Sequence, residues 1–152
     1  MSLDFTPALK RIESMILATG LFKQVNLHEP KNAPGKGLVC AVYLDDIGPV
    51  PQESGQNVTT GRVVFKARIF LPMLTKPEGL IDQTIGHAAC KIIEVLSGDI
   101  DLQNNVKYVD LLGATGTTLS AKGGYLTIDT TMFRIMDVTI PLIFNDIWNQ
   151  GT

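Results

Sequence analysis

The chain predicts an α+β domain: a mostly antiparallel sheet with two helices, N-terminal and central, packed on one face, closed by a β-hairpin. Three observations predict it. Ile81, Ile85, Ala88, Ala89, Ile92, Ile93 and Leu96 recur at three- and four-residue spacing, one apolar stripe along a helix, with Asp82, Gln83, Lys91 and Glu94 opposite. Residues 58–71 (VTTGRVVFKARIFL) alternate, so Val63, Phe65, Ala67 and Ile69 share one face while Arg62, Val64, Lys66, Arg68 and Phe70 share the other. The order of elements is helix, strands, helix, strands, which segregates the helices to one side of the sheet. A chain of 152 residues buries a core of its own, and residues 1–152 read as a single domain.

The first helix is expected over residues 4–19, with Thr6 as N-cap, Pro7 at the first helical position, and Leu9, Ile12, Met15 and Ile16 as its apolar face. Gly20 ends it. Residues 22–27 are a short strand candidate, and 28–36 a loop broken by Pro30, Pro34 and Gly35. Residues 38–44 (LVCAVYL) are apolar on both faces, as in a strand covered on both sides. Residues 45–57 read as a long Gly- and Pro-containing loop. Pro77 precedes the central helix, and Gly98 is placed to end it in the left-handed conformation. Residues 106–112 read as a strand, 113–124 as a loop, and 125–129 with 132–144 as the closing hairpin, with Met136, Val138, Ile140, Leu142 and Phe144 on its apolar face. Pro141 there suggests an edge strand or a bulge.

Composition narrows function by exclusion. Hydrophobic residues are 45% and charged residues 18%, a globular balance with low charge, which favours a surface covered by partners. The net charge of −2 leaves no basic footprint for nucleic acid and no polybasic membrane patch. No apolar run approaches the ~20 residues that span a membrane. The opening MSLDFTPALK lacks a basic-then-apolar signal, so the expectation is a chain kept in a reducing cytosol until it assembles. Cys40 and Cys90 are expected to be buried free thiols.

Catalytic signatures fail together. GATGTT (113–118) lacks the lysine and following helix of a phosphate loop and reads as a hairpin loop. The aspartates Asp45, Asp46, Asp99, Asp101, Asp110, Asp129, Asp137 and Asp146 are scattered, and most stand at strand ends and turns, where Asp bonds its own backbone. His28 and His87 are isolated, and Ser54 and Ser120 lack a nucleophile elbow. No catalytic residue, cofactor or metal is assigned, and the chain reads as an assembly component rather than an enzyme.

GGYLTIDTTMFRIMDVTIPLIFNDIW (123–148) resembles the C-terminal part of the tail terminator (tail completion) proteins of long-tailed bacteriophages. Related features are LDFTPALKRIESMI and GLFKQVNLHEPKNAPGKGL near the start, TTGRVVFKARIFLPML in the middle, and VDLLGATGTTLSAKGGYLTID. The resemblance covers most of the chain in element order. It implies a virion subunit, made in the host bacterial cytoplasm, that forms a six-fold ring on the head-proximal end of the tail tube. The ring stops tube polymerisation and docks the head connector. Its partners would be copies of itself, the tail tube protein and the connector or stopper protein, while DNA only passes through the lumen.

A ring needs one patch on each subunit to meet a different patch on the next. Arg62, Lys66 and Arg68 are candidates for one patch, and Asp45, Asp46 and Glu53 for the other. A solvated sheet face accounts for the cations equally simply. Ile47 and Val50 in the long loop, and Trp148 near the end, are candidates for partner docking; packing of Trp148 on its own domain is the alternative. Another head–tail joining subunit, such as a stopper or neck protein, is the runner-up reading, and a small ligand-binding module or enzyme the third.

Overall fold

The computed structural model describes residues 4–30, 32–51, 54, 58–74 and 77–149, with the backbone alone described at 58 and 146–149. The first helix, α1 (Thr6–Ala18), buries Ala8, Ile12, Met15 and Ile16. Phe5, not Thr6, is its N-cap residue; Asp4 closes the first turn instead by accepting the Thr6 N–H at 3.0 Å. Gly20 follows at a φ of 73° and turns the chain away.

The central helix, α2 (Ile81–Ser97), is entered through a 3₁₀ turn (Glu78–Leu80) and buries Ile81, Ile85, Ala88, Ala89, Ile92 and Leu96. Gly98 has a φ of −82° and is right-handed, contrary to expectation. The last turn is already closed by Gly98 N–H to Glu94 and Asp99 N–H to Leu96, so no left-handed residue is needed there. The reversal comes later, at Leu102, Gln103 and Asn104, all with positive φ. Leu102 is fully buried, and that burial offsets the backbone strain.

Six strands follow the order β1 (Gln24–Asn26), β2 (Val39–Pro49), β3 (Val58–Pro72), β6 (Thr131–Asn149), β4 (Tyr108–Val109), with β5 (Ser120–Ile128) also on β6. Every pairing is antiparallel except β1 with β2. Strand β6 is the spine: β3 runs along one edge, while β5 and then β4 share the other. The Pro141 carbonyl accepts from Asp110 on the β4 side, so its missing N–H falls on that same side, between the end of β5 and the start of β4. Pro141 therefore sits in a central strand, at the one place where the neighbouring strand changes.

Helices α1 and α2 cover one face, α2 lying on β6 and β3 with α1 beside it. That core includes Cys40, Val42, Val63, Phe65, Ile69, Val138, Ile140 and Leu142. A smaller cluster of Val39, Ala41, Phe70, Phe133 and Ile135 fills part of the opposite face, with the Phe70 and Phe133 rings edge to face at 5.8 Å. Ala33, Leu126 and Ile128 pack over it, so the two-sided apolar pattern of residues 38–44 is satisfied within the chain at Val39, Cys40, Ala41 and Val42 but not at Leu44, which stays exposed.

Several boundaries differ from the sequence reading. Strand β2 continues through Asp45, Asp46 and Gly48 to Pro49, where a loop was expected, because a bulge between Leu44 and Asp46 keeps the ladder to β3 intact. The predicted strand 106–112 shrinks to Tyr108–Val109, and β5 begins at Ser120. Strand β6 runs on to Asn149, pairing Trp148 with Thr59 across a register shift. Cys90 is exposed, since it falls one position off the buried stripe of α2; Cys40 alone is the buried thiol.

Candidate assembly surface: a paired charge ladder and two open strand edges

The strand register lines up side chains across the face turned away from the helices. Tyr43, Lys66, Thr139 and Ser120 form one row, and Ala41, Arg68, Asp137 and Lys122 the next. Arg68 reaches along its row to Asp137, with Nε to Oδ1 at 2.7 Å and Nη2 to Oδ2 at 2.9 Å. This two-pronged geometry is available to a guanidinium and not to a lysine. The hydrogen bonds that Arg68 donates to Asp137 hold the guanidinium above its ordinary pKa. The guanidinium also stands 5.8 Å from the Tyr43 ring centre. Burial pushes the Tyr43 hydroxyl up to about 12, against the opposing pull of Arg68.

The other two cations also have partners within the chain. Lys66 lies 3.6 Å from Asp45 and Arg62 lies 3.9 Å from Asp46. Arg62, Lys66 and Arg68 thus stand beside Asp45, Asp46 and Asp137 on one surface, three charges of each sign. The two groups of residues singled out in the sequence, cations on one side and Asp45 with Asp46 on the other, are brought together here as pairs. Glu53 lies outside the described residues.

Arg62 has a second task. It donates to the Thr115 carbonyl at 2.6 Å, tying β3 to the loop that precedes β5, while its buried Nε has no partner among the described residues. The same loop is gathered by Asp110, a buried carboxylate that accepts from the backbones of Gly113, Ala114 and Thr115 and from the Thr115 hydroxyl. Burial pushes Asp110 up, and these hydrogen bonds outweigh it, leaving the group below its ordinary value. The GATGTT amides at Gly113, Ala114 and Thr115 are therefore spent on a side chain of the same loop. They are not presented to a phosphate.

Besides the outer edge of the three-residue β1, two longer stretches of strand edge are open among the described residues. Strand β1 pairs with β2 only as far as Ala41, whose bridge to Asn26 uses the backbone of Val42, and this leaves the outer edge of β2 unpaired from Leu44 onward. Strand β5 pairs with β6 alone, so its outer edge is unpaired along its length. Beside the open stretch of β2 lies an open, mostly apolar cleft of ≈ 560 Å³, lined by Phe5, Leu9, Leu27, Leu44 and Phe65 together with the segment from His28 to Pro30 and Tyr43. Leu44 is 43% exposed and Ile47 45% exposed. Val50, by contrast, is 1% exposed; its N–H bonds the Thr60 carbonyl, and it is corrected from a docking candidate to a core residue. Of Trp148 only the backbone is described, in β6.

Sequence reasoning did not pair Asp137 with Arg68, and it read Asp110 only within the general expectation that acidic residues at turns bond the backbone. Asp137 occupies a polar position of an alternating strand, but its partner is set by register across 69 residues. Asp110 was more legible, since an Asp a few residues before a Gly-rich turn is a backbone-capping signal. Among the described residues, no three His, Cys, Asp or Glu side chains are grouped to hold a metal ion, and no helix is long and apolar enough to cross a membrane.

No family model and no curated protein matches the chain. Among solved structures, it is similar to the sheath/tube terminator of an extracellular contractile injection system, PVC, in its extended state, determined by cryo-EM. The identity is 13% and the TM-score 0.39; the match covers 100% of this chain and 60% of that one. At that depth the two backbones diverge too much for one to inform the other.

Proposed function

We propose that this chain is a structural subunit of a phage-type tail, a terminator that assembles as a six-fold ring on the head-proximal end of the tail tube. The ring ends tube polymerisation and presents the surface on which the head connector docks. The observation that carries this reading is the closing segment, residues 123–148, whose resemblance to tail terminators lies on β5 and on β6, the spine of the sheet. Two features suit the task. The sheet carries open edges on unlike strands, as a head-to-tail ring requires. Three of the cations on its charged face, Arg62, Lys66 and Arg68, each have a carboxylate beside them, which lowers the pull of that face on a duplex passing close by.

In this reading the chain works without cofactor or metal, and its partners are further copies of itself, the tube protein and the connector. Deleting its gene from the particle that encodes it tests the assignment. Overlong or unfinished tails are the expected result. Complete tails of normal length beside unjoined filled heads would assign the chain to the connector instead.

A further inference from the structure

We infer that copies of this chain join edge to edge, β5 of one copy adding as an antiparallel strand to the open stretch of β2 on the next. The inference rests on the ring reading and names the contact that builds the ring. Strand direction supports it first. Strands β2 and β6 both run opposite to β3, and β5 runs opposite to β6, so β5 and β2 are antiparallel within one chain. A rotation about an axis close to the strand direction keeps that relation between copies. Rotation thus brings β5 of one copy beside β2 of the next with antiparallel polarity and with the helices on the same side.

Backbone groups are available on both sides. The two-residue turn at Asp129 and Thr130 fixes which β5 residues bond β6, and it leaves Ala121, Gly123, Tyr125 and Thr127 with N–H and C=O turned outward. On β2, the Leu38 carbonyl faces the β1 side by accepting from Lys23, and by alternation Leu44 faces outward too, beyond the end of β1. Unpaired rows of this kind template strand addition.

Side chains match by face. Tyr125, 62% exposed, lies on the helix side of β5, the side on which Leu44 and the apolar cleft lie on β2. Lys122 and Asp46 lie on the other side, so the exposed cation of one copy is placed toward an exposed carboxylate of the next. The two open stretches are not level. Ser120 shares a row with Tyr43, so the join is stepped along the strands by about six residues, ~20 Å at ~3.3 Å per residue. A step of one sense at each junction tilts the strands, as closure of a sheet upon itself demands.

The test uses two blocked variants of the full chain. Ala121→Pro with Thr127→Pro removes outward donors from β5, and Leu44→Pro removes one from β2. Each alone is expected to be monomeric at concentrations where the wild type assembles. Mixed one to one they are expected to form a dimer of twice 16.5 kDa, about 33 kDa, because each retains the edge the other lacks. If circular dichroism shows that a proline variant has lost its fold, Tyr125→Asp and Leu44→Asp block the same edges from exposed side chains. A mixture that stays monomeric, or variants that assemble as the wild type does, would overturn edge pairing. Rings that form regardless of the edge variants would do so while leaving the terminator assignment intact, since that assignment falls only with normal tails in the gene deletion.

Discussion

Arg68 and Asp137 face each other across β3 and β6 in a two-pronged ion pair at 2.7 and 2.9 Å, each side chain about a quarter exposed or less. This is the strongest polar contact on the non-helical face, because both groups are held by long central strands and share two charge-assisted bonds. Asp137→Ala leaves a half-buried guanidinium without its acceptor. The expected cost is about 2 kcal/mol in urea unfolding, with Arg68→Ala costing a similar amount and the double variant less than the sum. Strict additivity of the two would contradict the pairing. Lys66→Ala, by contrast, removes a looser 3.6 Å pair and is expected to cost under about 1 kcal/mol.

Asp110 organises the loop ahead of β5, and its titration gives stability a pH dependence. Its carboxyl lies below its ordinary value in the folded chain, so the unfolded chain takes up a proton first as pH falls. The stabilisation is therefore complete above the ordinary carboxylate value of 3.8 and is lost as pH drops through the lowered folded value. Asp110→Asn is expected to lower stability at neutral pH by roughly 2 kcal/mol and to flatten the acid limb of the stability curve. An unchanged acid limb in the variant would remove Asp110 from this role.

The β5–β6 turn is the place where a substitution should stabilise. Asp129 and Thr130 both have positive φ, 50° and 68°, a conformation in which a β-branched residue is strained. Thr130→Gly is expected to raise stability by about 1 kcal/mol, seen as a higher melting temperature. Asp129 is a poor choice for the same change, because its carboxylate accepts the Ala33 N–H at 3.0 Å and ties the loop before β2 to the hairpin. A destabilised Thr130→Gly chain would mean the turn is not held in this form in solution.

The two thiols should separate cleanly. Cys40 is fully buried, and burial pushes its thiol up to about 12, whereas Cys90 is exposed on α2. A thiol reagent near pH 8 is expected to modify one cysteine per native chain rapidly, and the second only on denaturation. Rapid modification of both would place Cys40 outside the core.

Helix positions and sheet faces were legible because they follow from periodicity. The stripe from Ile81 to Leu96 is the buried face of α2, apart from a half-buried Ile93, and the alternation at Val63, Phe65, Ala67 and Ile69 is the buried face of β3. What was hidden depends on partners distant in sequence. The bulge that carries β2 past Asp45 exists because β3 continues opposite it, so local Gly and Pro signals at Gly48 and Pro49 were overridden. The pairing of Arg62, Lys66 and Arg68 depends on register, which a single strand cannot display. Val50 looked like an exposed loop residue because nothing in its neighbours reveals the backbone bond to Thr60.

The most direct test of the account is the native mass of the wild-type chain at low and high concentration, with and without tail tubes, followed by negative-stain imaging of the larger species. The account predicts a species of six times 16.5 kDa, about 99 kDa, with a central hole. A compact dimer with no hole, unchanged when tubes are added, would contradict it.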